Sequence, residues 1–125
     1  MALQVLIADD EPHISRALSF VLEKGGFSVH VAGNGEEAMR MIRKERPRIV
    51  FLDIVMPKTS GIDICREVKD DPDLRGTCII ILTAKGQEVD RRDCMSAGAD
   101  AYLTKPFSPR EVLEQVMTII SRGEK

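Results

Sequence analysis

Four short apolar runs, each ending in polar residues, set the narrowest limits on what this chain can become. Val5-Leu6-Ile7-Ala8 runs into Asp9-Asp10-Glu11, and Ile49-Val50-Phe51-Leu52 runs into Asp53. Ile79-Ile80-Ile81-Leu82 runs into Thr83, and Ala101-Tyr102-Leu103 passes through Thr104 into Lys105-Pro106. Unbroken apolar runs of this length suit strands buried on both faces, as in a parallel sheet covered by helices. Amphipathic stretches separate them, which is the pattern of repeated βαβ units. Parallel strands bring their C-terminal ends to one edge, where an open doubly wound sheet carries its chemistry.

The intervening segments supply helix signals and one further strand. Pro12 can open a helix, since its missing N–H is not needed there, and Ile14, Leu18, Val21 and Leu22 follow at helical spacing until Gly25-Gly26. Ser28 to Ala32 alternates like a short strand. Asn34, three residues before Glu37, predicts a cap for a helix that buries Ala38, Met41 and Ile42 and stops before Pro47. Beyond Asp53 the segment Val55 to Gly61 reads as a loop, followed by a helix with Ile64, Cys65 and Val68 inward. Gln87 to Ala97 is a weaker helix, with Val89, Cys94 and Met95 as its core candidates, and Gly98 permits the turn into the last strand. Ser108-Pro109-Arg110-Glu111 is a capping box for a final helix expected to bury Val112, Leu113, Val116, Met117 and Ile120. The expectation is one domain over residues 1–125, with five strands and five helices in alternation and right-handed crossovers.

Composition excludes several classes. The 43% apolar content is too high for disorder, and no apolar run approaches the roughly 20 residues of a membrane helix. Met1-Ala2-Leu3-Gln4 leads directly into a strand, so no signal peptide is read. Cys65, Cys78 and Cys94 are odd in number and form no C-x-x-C pair, which fits free thiols and a cytoplasmic location. A net charge of −2 gives no electrostatic reason to expect nucleic acid. The basic run from Arg43 to Arg48 reads as a solvated helix end favoured by the helix dipole.

The strand ends carry the chemistry. Asp9, Asp10 and Asp53 put about three negative charges together, which is tenable only if a proton is retained or a cation enters. Hard oxygen ligands on a partly open loop suit Mg²⁺, and a backbone carbonyl just after Asp53 could add another oxygen. Each residue also has a plainer reading. Strand-end carboxylates cap helices, Thr83 favours a strand, and Lys105 forms a salt bridge. Together they match one task, an aspartate that accepts a phosphoryl group while a cation and an ammonium neutralise charge in an in-line transfer.

The order Asp9-Asp10, Asp53, Thr83, Lys105-Pro106, with the strings VLIADDE, IVFLDIVMP, IILTA and AGADAYLTKPF, resembles the CheY-like receiver domain of bacterial two-component response regulators over essentially the whole chain. The resemblance implies an α/β, flavodoxin-like fold with five parallel strands in the order 2-1-3-4-5. It implies that Asp53 is the phosphorylated residue. Asp10 would be a direct ligand of Mg²⁺ (or Mn²⁺), with Asp9 acting mainly through water, and Asp53 and the Val55 carbonyl completing the set. Thr83 and Lys105 would hold the phosphoryl group, and the Lys105–Pro106 peptide is expected to be cis. Tyr102 matches the family's aromatic switch position, coupled through Thr83 to the surface of the fourth helix, fifth strand and fifth helix. The implied partners are a histidine kinase or histidine phosphotransfer protein as donor, and a downstream effector or output domain. Phosphorylation-dependent homodimerisation is a further implied behaviour, and no membrane or nucleic-acid partner is expected. In this family the chemistry is the domain's own phosphorylation and dephosphorylation, not turnover of a separate substrate. Two departures are visible. Thr59-Ser60-Gly61 stands where Met-Asp-Gly is frequent, and Ser60 retains the capacity to cap the next helix. Val55 and Lys85 flank the expected path of attacking water, where Val55 cannot orient it.

Two other classes share parts of this constellation. A haloacid-dehalogenase-type phosphatase needs an acid two residues after its nucleophile, where this chain has Val55. A flavodoxin-like electron carrier needs a phosphate-binding loop after the first strand, where Asp9-Asp10-Glu11 would repel phosphate.

Overall fold

The computed structural model describes residues 3–56, 59–84 and 91–123. Apolar runs become strands β1 (Gln4–Ala8), β3 (Ile49–Asp53), β6 (Cys78–Ala84) and β7 (Ala101–Lys105), joined by the less buried β2 (Ser28–Ala32). These form one parallel sheet in the order β2-β1-β3-β6-β7. That is the expected order 2-1-3-4-5. The extra numbers come from β4 (Val55–Met56) and β5 (Thr59–Ser60), a small antiparallel pair within the segment read as loop. Two residues per strand are too few to give an alternation signal.

Helices α1 (Pro12–Lys24), α2 (Gly35–Glu45), α3 (Gly61–Asp70), α4 (Arg91–Ser96) and α5 (Pro109–Gly123) cover both faces. Side-chain alternation sorts the sheet into two cores. Val5, Ile7, Phe51, Ile80 and Leu82 pack under Leu18 and Leu22 of α1 and Val112, Val116 and Ile119 of α5. Leu6, Val50, Leu52, Ile79 and Ile81 pack under α2, α3 and α4 through Ala38, Ile42, Ile64, Cys65, Val68 and Cys94.

The capping expectations hold atom by atom. Asn34 Oδ1 accepts from the Glu37 N–H at 2.8 Å, and Glu37 Oε1 accepts from the Gly33 N–H. Ser108 and Glu111 bond reciprocally at 3.1 Å, a complete capping box. Ser60 Oγ accepts from the Ile62 N–H at the start of α3. Several side chains differ from expectation. Met95 and Met117 are exposed, Met41, Leu113 and Ile120 are only partly buried, and Ile119 is buried instead. The buried positions Val112, Val116 and Ile119 lie four and three residues apart, and Met117 falls about a quarter turn away from that stripe. Arg43 is also more than a solvated helix end: it bridges α2 to Glu67 at 2.9 Å and Asp71 at 3.1 Å. Val89 and Lys85 lie outside the described residues, as does the part of the fourth helix expected before Arg91.

Candidate functional site

Register explains how the strand ends meet. Asp53 is paired with Leu82, Thr83 with Thr104, and Ala84 with Lys105, so three adjacent strands deliver their polar termini in step. The β1 end lies beside them, with Asp9 buried and Asp10 exposed just past Ala8. Ligand oxygens of Asp9, Asp10 and Asp53 all fall within 4.8 Å of one another.

Lys105 is the cation of this cluster. Its Nζ lies 3.0 Å from Asp9 Oδ2 and donates to Glu11 Oε1 at 3.1 Å and Asp53 Oδ2 at 3.3 Å. Burial pulls the ammonium's pKa down, but the carboxylates of Asp9, Asp53 and Glu11 outweigh it and hold the pKa above its ordinary value. Asp53 moves the other way from an ordinary carboxylate. Burial, with the Asp9 charge adding to it, pushes its pKa up to about 6, against the opposing Val55 N–H and Lys105. Asp53 Oδ1 accepts that Val55 N–H at 3.1 Å, which fixes the carboxylate's orientation.

Two buried atoms here, Asp9 Oδ2 and Thr83 Oγ1, lack a hydrogen-bond partner among the described residues. Asp9 Oδ2 still has its ion pair with Lys105. Buried polar atoms without partners are rare in native folds, and the Thr83 hydroxyl at this sheet edge marks a place shaped for a polar guest. Hard carboxylate oxygens, one of them on the exposed Asp10, suit a divalent cation that keeps part of its water shell. A cleft of about 230 Å³ opens over Asp53, lined by Asp10, Glu11, Val55, Ala84 and Lys105. The small Ala84 lines this cleft, and Val55 is exposed beside it. A wider groove of about 550 Å³ runs from Asp10 along α1 past Arg16 and Phe20.

Tyr102 lies away from the cluster. It pairs with Ile81 and packs, half-buried, on the core beneath α3 and α4. Thr83 is two residues beyond Ile81, so Thr83 and Tyr102 share one face of the sheet as diagonal neighbours. The Lys105–Pro106 peptide is cis.

Two residues escaped the sequence reading. Glu11 was seen only as part of an acidic string, yet it is a direct partner of Lys105. The available signal was its place next to Asp9-Asp10 at a strand end. Gly61 read as an ordinary loop glycine. A Cβ there would collide with the Asp53 carbonyl oxygen and lie 2.9 Å from Ile54 Cα, so only glycine lets α3 start against the backbone of Asp53 and Ile54.

Known proteins agree with this geometry. The sequence profile of the response regulator receiver domain matches residues 5–117. The alkaline phosphatase synthesis transcriptional regulatory protein PhoP of Bacillus subtilis is 40% identical over 124 residues, covering 99% of this chain and 51% of that protein. The transcriptional regulatory protein SrrA of Staphylococcus aureus is 38% identical over 124 residues, covering 99% and 50%. The chain therefore spans about half the length of the curated relatives it matches. Among solved structures, a response regulator from Chloroflexus aurantiacus superposes with a TM-score of 0.91 at 33% identity, covering 97% of this chain and 99% of that one. The BeF3-activated DrrB receiver domain gives 0.85 at 30% identity, covering 97% and 99%. The shared fold, sequence profile and identity lead to one assignment: the chain belongs to the response regulator receiver domain family of two-component signalling.

Proposed function

We propose that Asp53 is the phosphoacceptor of this receiver, and that the unit that carries the function is the whole of residues 1–125. The observation that carries the reading is the setting of Asp53. It is buried at a strand end, 3.3 Å from the Lys105 ammonium, within a cluster of three carboxylates and beside the Thr83 hydroxyl, which has no hydrogen-bond partner among the described residues. In the transfer, one Asp53 oxygen attacks phosphorus, a new O–P bond forms, and the bond to the donor nitrogen breaks. The donor is a phosphohistidine, on a histidine kinase or histidine phosphotransfer protein. Lys105 and Thr83 hold the phosphoryl oxygens as negative charge gathers on them. Asp9, Asp10, Asp53 and the Val55 main-chain carbonyl would hold Mg²⁺ or Mn²⁺. When bound, the ion supplies charge neutralisation for the transferring group. The domain acts only on its own aspartate, as a signalling module and not as an enzyme with a separate substrate.

Phosphorylation adds charge and acceptor oxygens at Asp53. Thr83 turns toward them, and Tyr102 on the same sheet face follows into the space it leaves. The surface of α4, β7 and α5 is thereby reshaped for an effector, an output domain or a second copy. A cytoplasmic setting suits this chemistry, and no described helix is long and apolar enough to cross a membrane.

The test is direct. Wild type and Asp53→Ala are incubated with acetyl phosphate and MgCl₂, and intact masses are compared. One phosphoryl group on wild type and none on the variant is the expected outcome. Equal uptake by both proteins overturns the assignment.

A further inference from the structure

Glu11 stands at the N-cap of α1, yet its side chain makes no capping bond. Its carboxylate instead faces Lys105 through Oε1 at 3.1 Å, with His13 Nε2 lying 3.6 Å from Oε2. An ammonium has three N–H groups, and here three carboxylates surround it. Two of its N–H groups donate to Glu11 and Asp53, and Asp9 Oδ2 lies 3.0 Å away as an ion pair, so a phosphoryl oxygen brought to Lys105 competes with these carboxylates for the ammonium. The three are not equally easy to displace. Asp9 is buried and tied by the Glu11 N–H donating to its Oδ1 at 2.8 Å. Asp53 is the reacting group itself. Glu11 is 47% exposed at the mouth of the cleft, where water can take over its solvation at small cost.

We propose that Glu11 is the exchangeable partner of Lys105. It occupies the ammonium in the unphosphorylated domain and yields its position to the phosphoryl oxygen. Glu11 is thus a positioning residue that acts through Lys105, and the inference rests on the phosphoacceptor reading of Asp53. Its consequence is a resting lock: contact with Glu11 stabilises the unmodified site and must be given up on the way to transfer. Removing the contact speeds phosphorylation by roughly two- to five-fold, the size set by an ion pair whose carboxylate partner is half-exposed.

Geometry separates this from a plain charge effect. Glu11→Gln removes the charge. Glu11→Asp keeps it but draws it back from Lys105 by about one methylene, some 1.3–1.5 Å on ordinary bond lengths. Initial rates with acetyl phosphate and MgCl₂ are measured for wild type and both variants. The exchange predicts that both variants outpace wild type. It also predicts that the Lys105 side-chain NMR signals of Glu11→Gln differ from wild type in the unmodified domain and coincide with it once beryllofluoride, a phosphoryl mimic, is added. If Glu11→Asp matches wild type while Glu11→Gln is faster, the effect is charge alone and the exchange is overturned. Wild-type rates in both variants overturn it too, leaving the Asp53 assignment intact. No phosphate uptake by wild type brings down both readings.

Discussion

Two lysines with little exposure, at different parts of the sheet, show what distinguishes a structural cation from a working one. Lys69 on α3 pairs with Asp100 at 2.9 Å and donates to the carbonyls of Thr77 and Arg75. Asp100 in turn accepts the Ile79 N–H at 2.8 Å. One charge meets one charge, and the ammonium's remaining contacts are neutral carbonyls. Lys105 faces Asp9, Glu11 and Asp53, with Asp10 close by and Thr83 left without a hydrogen-bond partner among the described residues. The first site is balanced and closed. The second carries surplus negative charge beside a buried hydroxyl without a partner among the described residues, so it improves when something arrives. Charge imbalance, more than burial, separates the two.

Three experiments press on that contrast, in order of expected size. Lys105→Met lowers the rate of phosphorylation by acetyl phosphate about 100-fold, the scale for losing one donor aimed at developing charge. Its metal-free form is also destabilised at pH 8 and recovers as the pH falls through about 6, because Asp53 then takes up its proton. Stopped-flow rates and thermal melts across pH check both halves. Recovery that fails to appear means Lys105 is structural after all.

Lys69→Met is expected to cost about 1–3 kcal/mol in urea unfolding, below the figure for a fully buried pair because both side chains keep some water contact. The loss persists from pH 8 to pH 6 and leaves the phosphorylation rate at the wild-type value. A rate change would show that the two sites communicate.

Asp53→Asn gives the smallest and most diagnostic effect. Asp53 has a folded pKa of about 6 against an ordinary 3.8, so the native state holds the proton more tightly. Its contribution is therefore fully present below about pH 4 and is lost as pH rises through about 6. The metal-free variant, which cannot ionise there, gains on the order of 1–2 kcal/mol over wild type at pH 8. That gain shrinks toward zero at pH 4 to 5. A gain independent of pH means that the pocket's charge is not the cause.

The contrast also explains what the sequence revealed. Strands were legible because apolar runs report burial on both faces, and their order followed from the resemblance with chain connectivity. Asp9, Asp10, Asp53, Thr83 and Lys105 were legible because each ends such a run. Glu11 was not, since nothing local tells which carboxylate of an acidic string reaches a lysine 94 positions away. The Lys69–Asp100 pair went unread for the same reason. Met95 and Met117 misled because methionine is apolar without being obliged to face inward, and only packing decides its side of a helix. The β4–β5 pair was too short to leave any trace in the pattern.

The bare position at Gly61 has one more implication. The first turn of α3 rests directly on the main chain that carries Asp53, with no side chain as a cushion. A single methyl there would tilt the carboxylate off its aim without touching any group that reacts. The reactivity of this receiver can thus be set by an atom that is missing, at a site a chemist searching for functional groups would pass over.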